Sequence, residues 1–198
     1  MKRCEVVNGK EILQCNEMLD IMFLIDGSGS LGETGWKAEI KAAELFVDAF
    51  SGTGANAQMG VILYSGPKTW SGMHKCFSNY NYCEIKTVTH LTSDMSKVKE
   101  LIGGLTWPKG STLTSLALMR AKAELGVGRK DAKSIVVVIT DGRPLSYRAT
   151  WYASRMVRKT ARLVWVPVTK YAPLKKIKKW ATRRWPENVV LVESFEDL

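Results

Sequence analysis

The run SIVVVITDG, residues 134–142, is apolar at nearly every position until it closes on Asp-Gly. A strand wetted on one side alternates apolar and polar residues, whereas a strand covered on both faces reads as a continuous apolar run. The same texture appears in LDIMFLI (19–25) and AQMGVILYS (57–65), and more loosely in EIKTVTHL (84–91), RLVWVPVT (162–169) and NVVLVES (188–194). Helical patterns separate these runs. ETGWKAEIKAAELFVDAF puts Trp36, Ile40, Ala43 and Val47 on one side; SDMSKVKELIGGL opens on the cap-like Ser93 and ends at a glycine pair. STLTSLALMRAKAELGVG and a stretch near Ala149–Ala161 complete the alternation. Covered strands alternating with helices predict an α/β, doubly wound, Rossmann-like fold: a mostly parallel six-stranded sheet in the order 3-2-1-4-5-6, helices on both faces. A polar, aromatic segment carrying Cys76 and Cys83 sits between the second and third strands. Residues 1–18 read as a cysteine-bearing N-terminal arm and 19–198 as one domain, long enough for a single well-packed core.

Such a sheet binds ligands beyond the carboxyl ends of its strands, where the strand order reverses. In the predicted order that point lies between the first strand, ending at Asp26, and the fourth, ending at Asp141. The loop after Asp26 admits two readings. Gly27, Gly29 and Gly32 spell the G-x-G-x-x-G of a dinucleotide site, while Asp26, Ser28 and Ser30 place oxygen-bearing side chains at every second position. Two carboxylates would repel a pyrophosphate, and the second strand ends in Tyr64-Ser65 without the acid that binds a ribose. An extended loop sends alternate side chains to one side, so Asp26, Ser28 and Ser30 converge, with Asp141 across the switch point. Hard, mostly neutral oxygen ligands suit Mg²⁺. The loop is predicted to hold a metal. A hydrolytic serine is not predicted: no G-x-S-x-G surrounds Ser28 or Ser30, and neither His74 nor His90 has a sequence reason to face Ser28.

Charge and cysteines describe the surroundings. The formal charge is +10, with much of the excess after Arg143. In PLKKIKKWATRRW, Leu174, Ile177 and Ala181 recur at helical spacing while Lys175, Lys176, Lys178, Lys179, Arg183 and Arg184 cover the other faces. That is an amphipathic helix whose basic side is either a solvated face or a surface for a polyanion or acidic partner. Four cysteines fall in two local pairs, and sequence alone permits three pairings. Cys4–Cys15 and Cys76–Cys83 are the simplest, and disulfides point to an oxidising compartment. No apolar window is long enough to span a membrane, and the first residues lack the apolar region of an intact signal peptide.

Three stretches, FLIDGSGSLG, KGSTLTSLAL and VVVITDGRP, in this order and spacing, resemble a von Willebrand factor type A domain. They are similar to the inserted domains of integrins and to the A domains of secreted protist adhesins of the thrombospondin-related type, over about Leu19 to Leu198. The resemblance implies a metal-ion-dependent adhesion site (MIDAS) with Asp26, Ser28 and Ser30 as the D-x-S-x-S ligands, Thr112 as the distant threonine and Asp141 as the second aspartate. Thr112, rather than the nearby Thr114, matches the first threonine of the family's T-x-T. In such sites the hydroxyls touch the Mg²⁺ or Mn²⁺ directly, the aspartates often act through water, and an acidic group of the partner completes the shell. Gly27 departs from the more usual serine at a position that does not ligate, and Arg143 adds attraction for an anionic partner.

The reading is therefore a secreted or surface-exposed adhesion module, not an enzyme, binding a protein or glycan through the metal. The alternative is a polyanion-binding domain, with a sulfated polysaccharide on the basic helix and the metal structural; nucleic acid is not an expected partner. Related A domains follow the last strand with a long helix coupled to the site. Here NVVLVESFEDL reaches only its start, with Ser194 as a plausible cap, so little switching is expected of this chain.

Overall fold

The structure, a computed structural model, describes residues 4–6, 12–168 and 172–192, with backbone alone for 4–6 and 14. In chain order its elements are β1 (Cys4–Val6), β2 (Leu13–Cys15), β3 (Leu19–Asp26), α1 (Gly32–Ala49), β4 (Ala57–Tyr64), α2 (Trp70–Ser78) and β5 (Ile85–Thr92). Then follow α3 (Met95–Gly103), α4 (Thr114–Gly126), β6 (Lys133–Thr140), α5 (Tyr147–Val157), β7 (Arg162–Pro167) and α6 (Leu174–Trp180). The main sheet runs β5-β4-β3-β6-β7, with β3 parallel to β4 and β6, β7 parallel to β6, and β5 antiparallel at the edge.

Every residue of β3 is buried, as its continuous apolar run requires of a central strand. Alternation splits the sheet into two cores. Ile21, Phe23 and Ile25 pack with Val61 and Val137 under α1 and α3, where Trp36, Val47, Val98 and Ile102 close the layer. Met22 and Leu24 pack with Ile62, Val136 and Trp165 under α4, α5 and α6, against Leu118, Val157 and Trp180. Each fully buried large side chain contributes about 1.5–3 kcal/mol relative to exposure. Helices on both faces make the fold doubly wound.

Two expectations change. Among the described residues the sheet has five strands, not six. The expected last strand, among the described residues, meets β7 and the residue after it only at isolated parallel bridges, Trp165↔Val189 and Val168↔Val192. Trp165 N donates to Asn188 O and accepts, through its carbonyl, from Val190 N. The next residue of β7 facing that edge is Pro167, which has no N–H to continue the ladder. The segment carrying the cysteines contains a helix, α2, which shows few apolar positions because only Met73 and Cys76 are buried. The basic helix is shorter than predicted: it ends at Trp180, Ala181 turns extended at ψ 159°, and Arg184 is left-handed at φ 61°. Lys175, Lys176, Lys178 and Lys179 are on α6, whereas Arg183 and Arg184 follow it.

Cys76 and Cys83 form the predicted disulfide. Cys15 is also disulfide-bonded, and the hairpin register sets Cys4 opposite it. The Cys4 side chain lies outside the described residues, and so does the expected cap Ser194 with all of 193–198. No helix among the described residues is long and apolar enough to cross a membrane.

Candidate metal centre

Parallel β3 and β6 bring Asp26 and the residue after Thr140 to the same edge of the sheet. Chain reversal there places the loop 27–31 against the loop after β6. Ser28 Oγ lies 3.1 Å from Ser30 Oγ, and Ser30 Oγ donates to Asp141 Oδ1 at 3.0 Å. Ser28 N donates to Asp26 Oδ1 at 2.9 Å, which folds the loop back over the carboxylate. Four of the five predicted ligands thus form one hydrogen-bonded set.

Thr112, the fifth, is buried in the loop before α4. Its carbonyl accepts from Leu145 N at 2.9 Å, tying this loop to the one after Asp141. Ser111 N and Leu113 N donate to Gly66 O and Ser65 O at the end of β4, fixing the other side. Among the described residues the Thr112 hydroxyl makes no hydrogen bond and remains available.

The rest of the scaffold holds Asp26. Its Oδ2 accepts from Thr140 Oγ1 at 2.7 Å and from Tyr64 OH at 3.3 Å, while its N–H donates to Glu39 Oε1 at 2.9 Å. Trp107 Nε1 donates to Ser28 O at 3.1 Å, and the Trp107 ring stacks on Trp36 of α1 with centroids 6.4 Å apart. Lys109, left-handed at φ 60°, donates its N–H to Gly27 O and lays Nζ 4.7 Å from the Trp107 ring centre. A Cβ on Gly27 would stand 2.7 Å from Pro108 Cδ, which is why glycine rather than serine fits here. Gly110 is bound tighter still, since a Cβ there would meet Gly66 O at 1.7 Å.

Tyr64, Thr140, Glu39, Trp107 and Lys109 escape the sequence reading. Two left a trace: Tyr64 is the register partner of Asp26, and Glu39 is a charge on the buried stripe of α1. For Trp107 and Lys109 there is no local signal.

No basic side chain contributes to the shifts of the site's carboxyls. Burial, opposed by the Thr140 and Ser28 bonds, pushes the Asp26 carboxyl up to about 6. Asp141 is raised by burial, and Glu39 well raised by burial and then by the charge of Asp26. Glu39 Oε2 is buried without a hydrogen-bond partner. A divalent cation would relieve all three. The hydroxyls also fit one: ligands at about 2.1 Å in an octahedron stand about 3 Å apart along each edge, matching the Ser28–Ser30 separation of 3.1 Å. Among the described residues no group of three or more His, Cys, Asp or Glu side chains could hold a metal. Any metal here depends on hydroxyls. Neither histidine approaches Ser28: His74 is on α2, and His90 Nδ1 is 2.7 Å from Glu124 Oε2.

Comparison with known proteins places the fold. Von Willebrand factor A domain-containing protein 2 of Mus musculus is 23% identical over 194 residues, 98% of this chain but 22% of the mouse protein. The chain thus spans less than a quarter of that curated relative. Proximal thread matrix protein 1 from the mussel byssus, solved with a zinc-occupied MIDAS motif, gives a TM-score of 0.68 at 19% identity, over 92% of this chain and 45% of that one. Manganese-loaded TRAP protein of Plasmodium vivax gives 0.68 at 20% identity, over 90% of this chain and 69% of that one. At these identities the likeness to the solved structures is one of fold. The model of the von Willebrand factor type A domain, however, matches residues 20–198, both aspartates and all three hydroxyl residues included, and the chain belongs to that family.

Proposed function

We propose that residues 19–198, with 1–18 as an arm, form an adhesion module that captures an acidic group of a protein or glycan partner through Mg²⁺ or Mn²⁺. The carrying observation is the hydrogen-bonded set Ser28–Ser30–Asp141 at the sheet's switch point, closed by Asp26. Ser28, Ser30 and Thr112 would hold the ion directly, with Asp26 and Asp141 behind them. An ion bound mainly by neutral hydroxyls keeps most of its charge and attracts a carboxylate from outside. Exposed Lys109 and Arg143 beside the site add to that attraction. The oxidised Cys76–Cys83 pair supports a secreted, cell-surface or lumenal setting.

The test is capture of the partner from a mixture with Mg²⁺ or with EDTA, repeated with Asp141→Ala. Capture should require the metal and vanish in the variant while the circular-dichroism spectrum stays unchanged. Metal-independent capture, or a variant that captures normally, refutes the reading.

A second reading is supported by charge. Residues 142–186 hold 13 of the 29 basic residues and none of the 19 acidic ones. Lys175, Lys176 and Lys179 are exposed on α6, Arg183 and Arg184 follow it, and Lys178 stacks 3.8 Å above Trp185. That surface suits a sulfated polysaccharide, bound without metal and released by salt. Charge reversal at Lys175, Lys176 and Lys179 should weaken retention on heparin and leave metal affinity alone; unchanged retention makes α6 a solvated face.

A further inference from the structure

Asp26 ends β3 and Leu19 begins it, so at about 3.3 Å per residue the far pole of the sheet lies about 23 Å from the metal centre. There the starts of β3, β6 and β7 meet the end of α5 around a cavity of about 550 Å³. Lys133, Arg158, Lys159 and Arg162 line it together with Ser134 and Thr160, and among the described residues no carboxylate lines it.

Arg158 is held in place, because its Nη1 donates to the carbonyls of Lys179 and Ala181 at 3.3 and 2.9 Å. Its Nε is buried and, among the described residues, makes no hydrogen bond. A cation left short of partners in a partly buried setting is costly unless an anion completes it. Its charged neighbours are of the wrong sign: burial first, then Arg155 and Arg183, press the guanidinium pKa down. Arg129, at the same pole, shows what a purely structural arginine looks like. It is paired with buried Asp20 at 2.8 Å and bonded to the carbonyls of Ala55, Leu19 and Asn56. Arg162 spends Nε and Nη2 on Asn188 and Glu187 O. Among the described residues Lys133 and Lys159 have no salt-bridge partner, and both are exposed at the mouth.

We propose that this cavity is an oxyanion site that takes one sulfate or phosphate group. Arg158 supplies the fixed positive charge at the back, Lys133 and Lys159 neutralise the group at the mouth, and the Ser134 hydroxyl donates to one of its remaining oxygens, while Thr160 keeps its own bond to Val157 O. Several donors converging from different directions suit a tetrahedral oxyanion better than a planar carboxylate. The site lies at the opposite pole from the metal centre, and no α6 lysine side chain is among its described lining residues.

The test follows backbone amide shifts of the whole chain in EDTA, so that the metal reading cannot influence it. Sodium sulfate is titrated against sodium chloride at matched ionic strength, and a heparin-derived tetrasaccharide is titrated separately. Saturable shifts should centre on Ser134, Thr160 and Arg162. The double variant K133Q/K159Q, altered only at exposed positions, should weaken binding by about fivefold or more, whereas K175Q/K176Q should change it less than about twofold. Saturation by free sulfate identifies a small-ion site; saturation by the tetrasaccharide alone identifies a group carried on a chain. The proposal is overturned if neither probe moves those amides saturably, or if both double variants weaken binding equally.

Discussion

The raised carboxyl of Asp26 makes stability depend on pH in a direction opposite to that of a salt-bridged acid. Its pKa rises from 3.8 to about 6 in the folded chain, chiefly through burial. Without metal the native state therefore binds more protons than the unfolded state between about pH 4 and 6, and stability falls as pH rises through that window. The shift corresponds to about 3 kcal/mol in full, of which about 1 kcal/mol separates pH 5 from pH 7. Asp141 and Glu39 are shifted the same way. For a chain of this size about 1 kcal/mol moves Tm by about 2–4 °C. Calorimetry in EDTA should thus find wild type more stable at pH 5 than at pH 7, relative to Asp26→Asn, which keeps the side-chain shape and removes the titration. Excess Mg²⁺ should reverse the order, because it binds the deprotonated native site and stabilises it by about 2.7 kcal/mol at one hundred times Kd. If wild type and Asp26→Asn share one pH slope in EDTA, the buried-charge account of the site is wrong.

Other expectations are simpler. Replacing Cys76 and Cys83 together by serine should cost about 2–3 kcal/mol for so short a loop, read by denaturant melts. Arg129→Ala strands buried Asp20 and should cost about 3–5 kcal/mol, where Lys37→Ala, on an exposed pair with Glu33, should cost less than about 0.5 kcal/mol. Trp107→Phe keeps the stack on Trp36 but removes the bond to Ser28 O, and should weaken metal affinity by about tenfold with little loss of Tm.

Sequence texture was a good guide wherever the cause was local. Buried strands such as β3 and β6 announce themselves by unbroken apolar runs, and Asp26, Ser28 and Ser30 by an alternation that an extended loop turns to one side. What stayed hidden depends on distant partners. Glu39, Thr140 and Trp107 reach the metal loop across 13, 114 and 79 residues, and nothing in their own neighbourhoods requires it. The sixth strand misled because NVVLVES has the right composition, while the obstacle, a proline facing its edge, lies in β7. The basic helix misled similarly: its spacing continues to Ala181, but Trp180 and Ala181 are buried against the sheet and the chain turns there. Leu113 packs with Cys76, Cys83 and Met73, so the stapled insert borders the loop carrying Thr112, a neighbourhood that no periodicity marks.

Titration of Mn²⁺ followed by electron paramagnetic resonance, comparing wild type with Ser28→Ala/Ser30→Ala, addresses the metal centre itself. The account predicts a single saturable Mn²⁺ per wild-type chain, displaced by excess Mg²⁺, and none in the variant while its melting curve is retained. Equal Mn²⁺ binding by both proteins would contradict it.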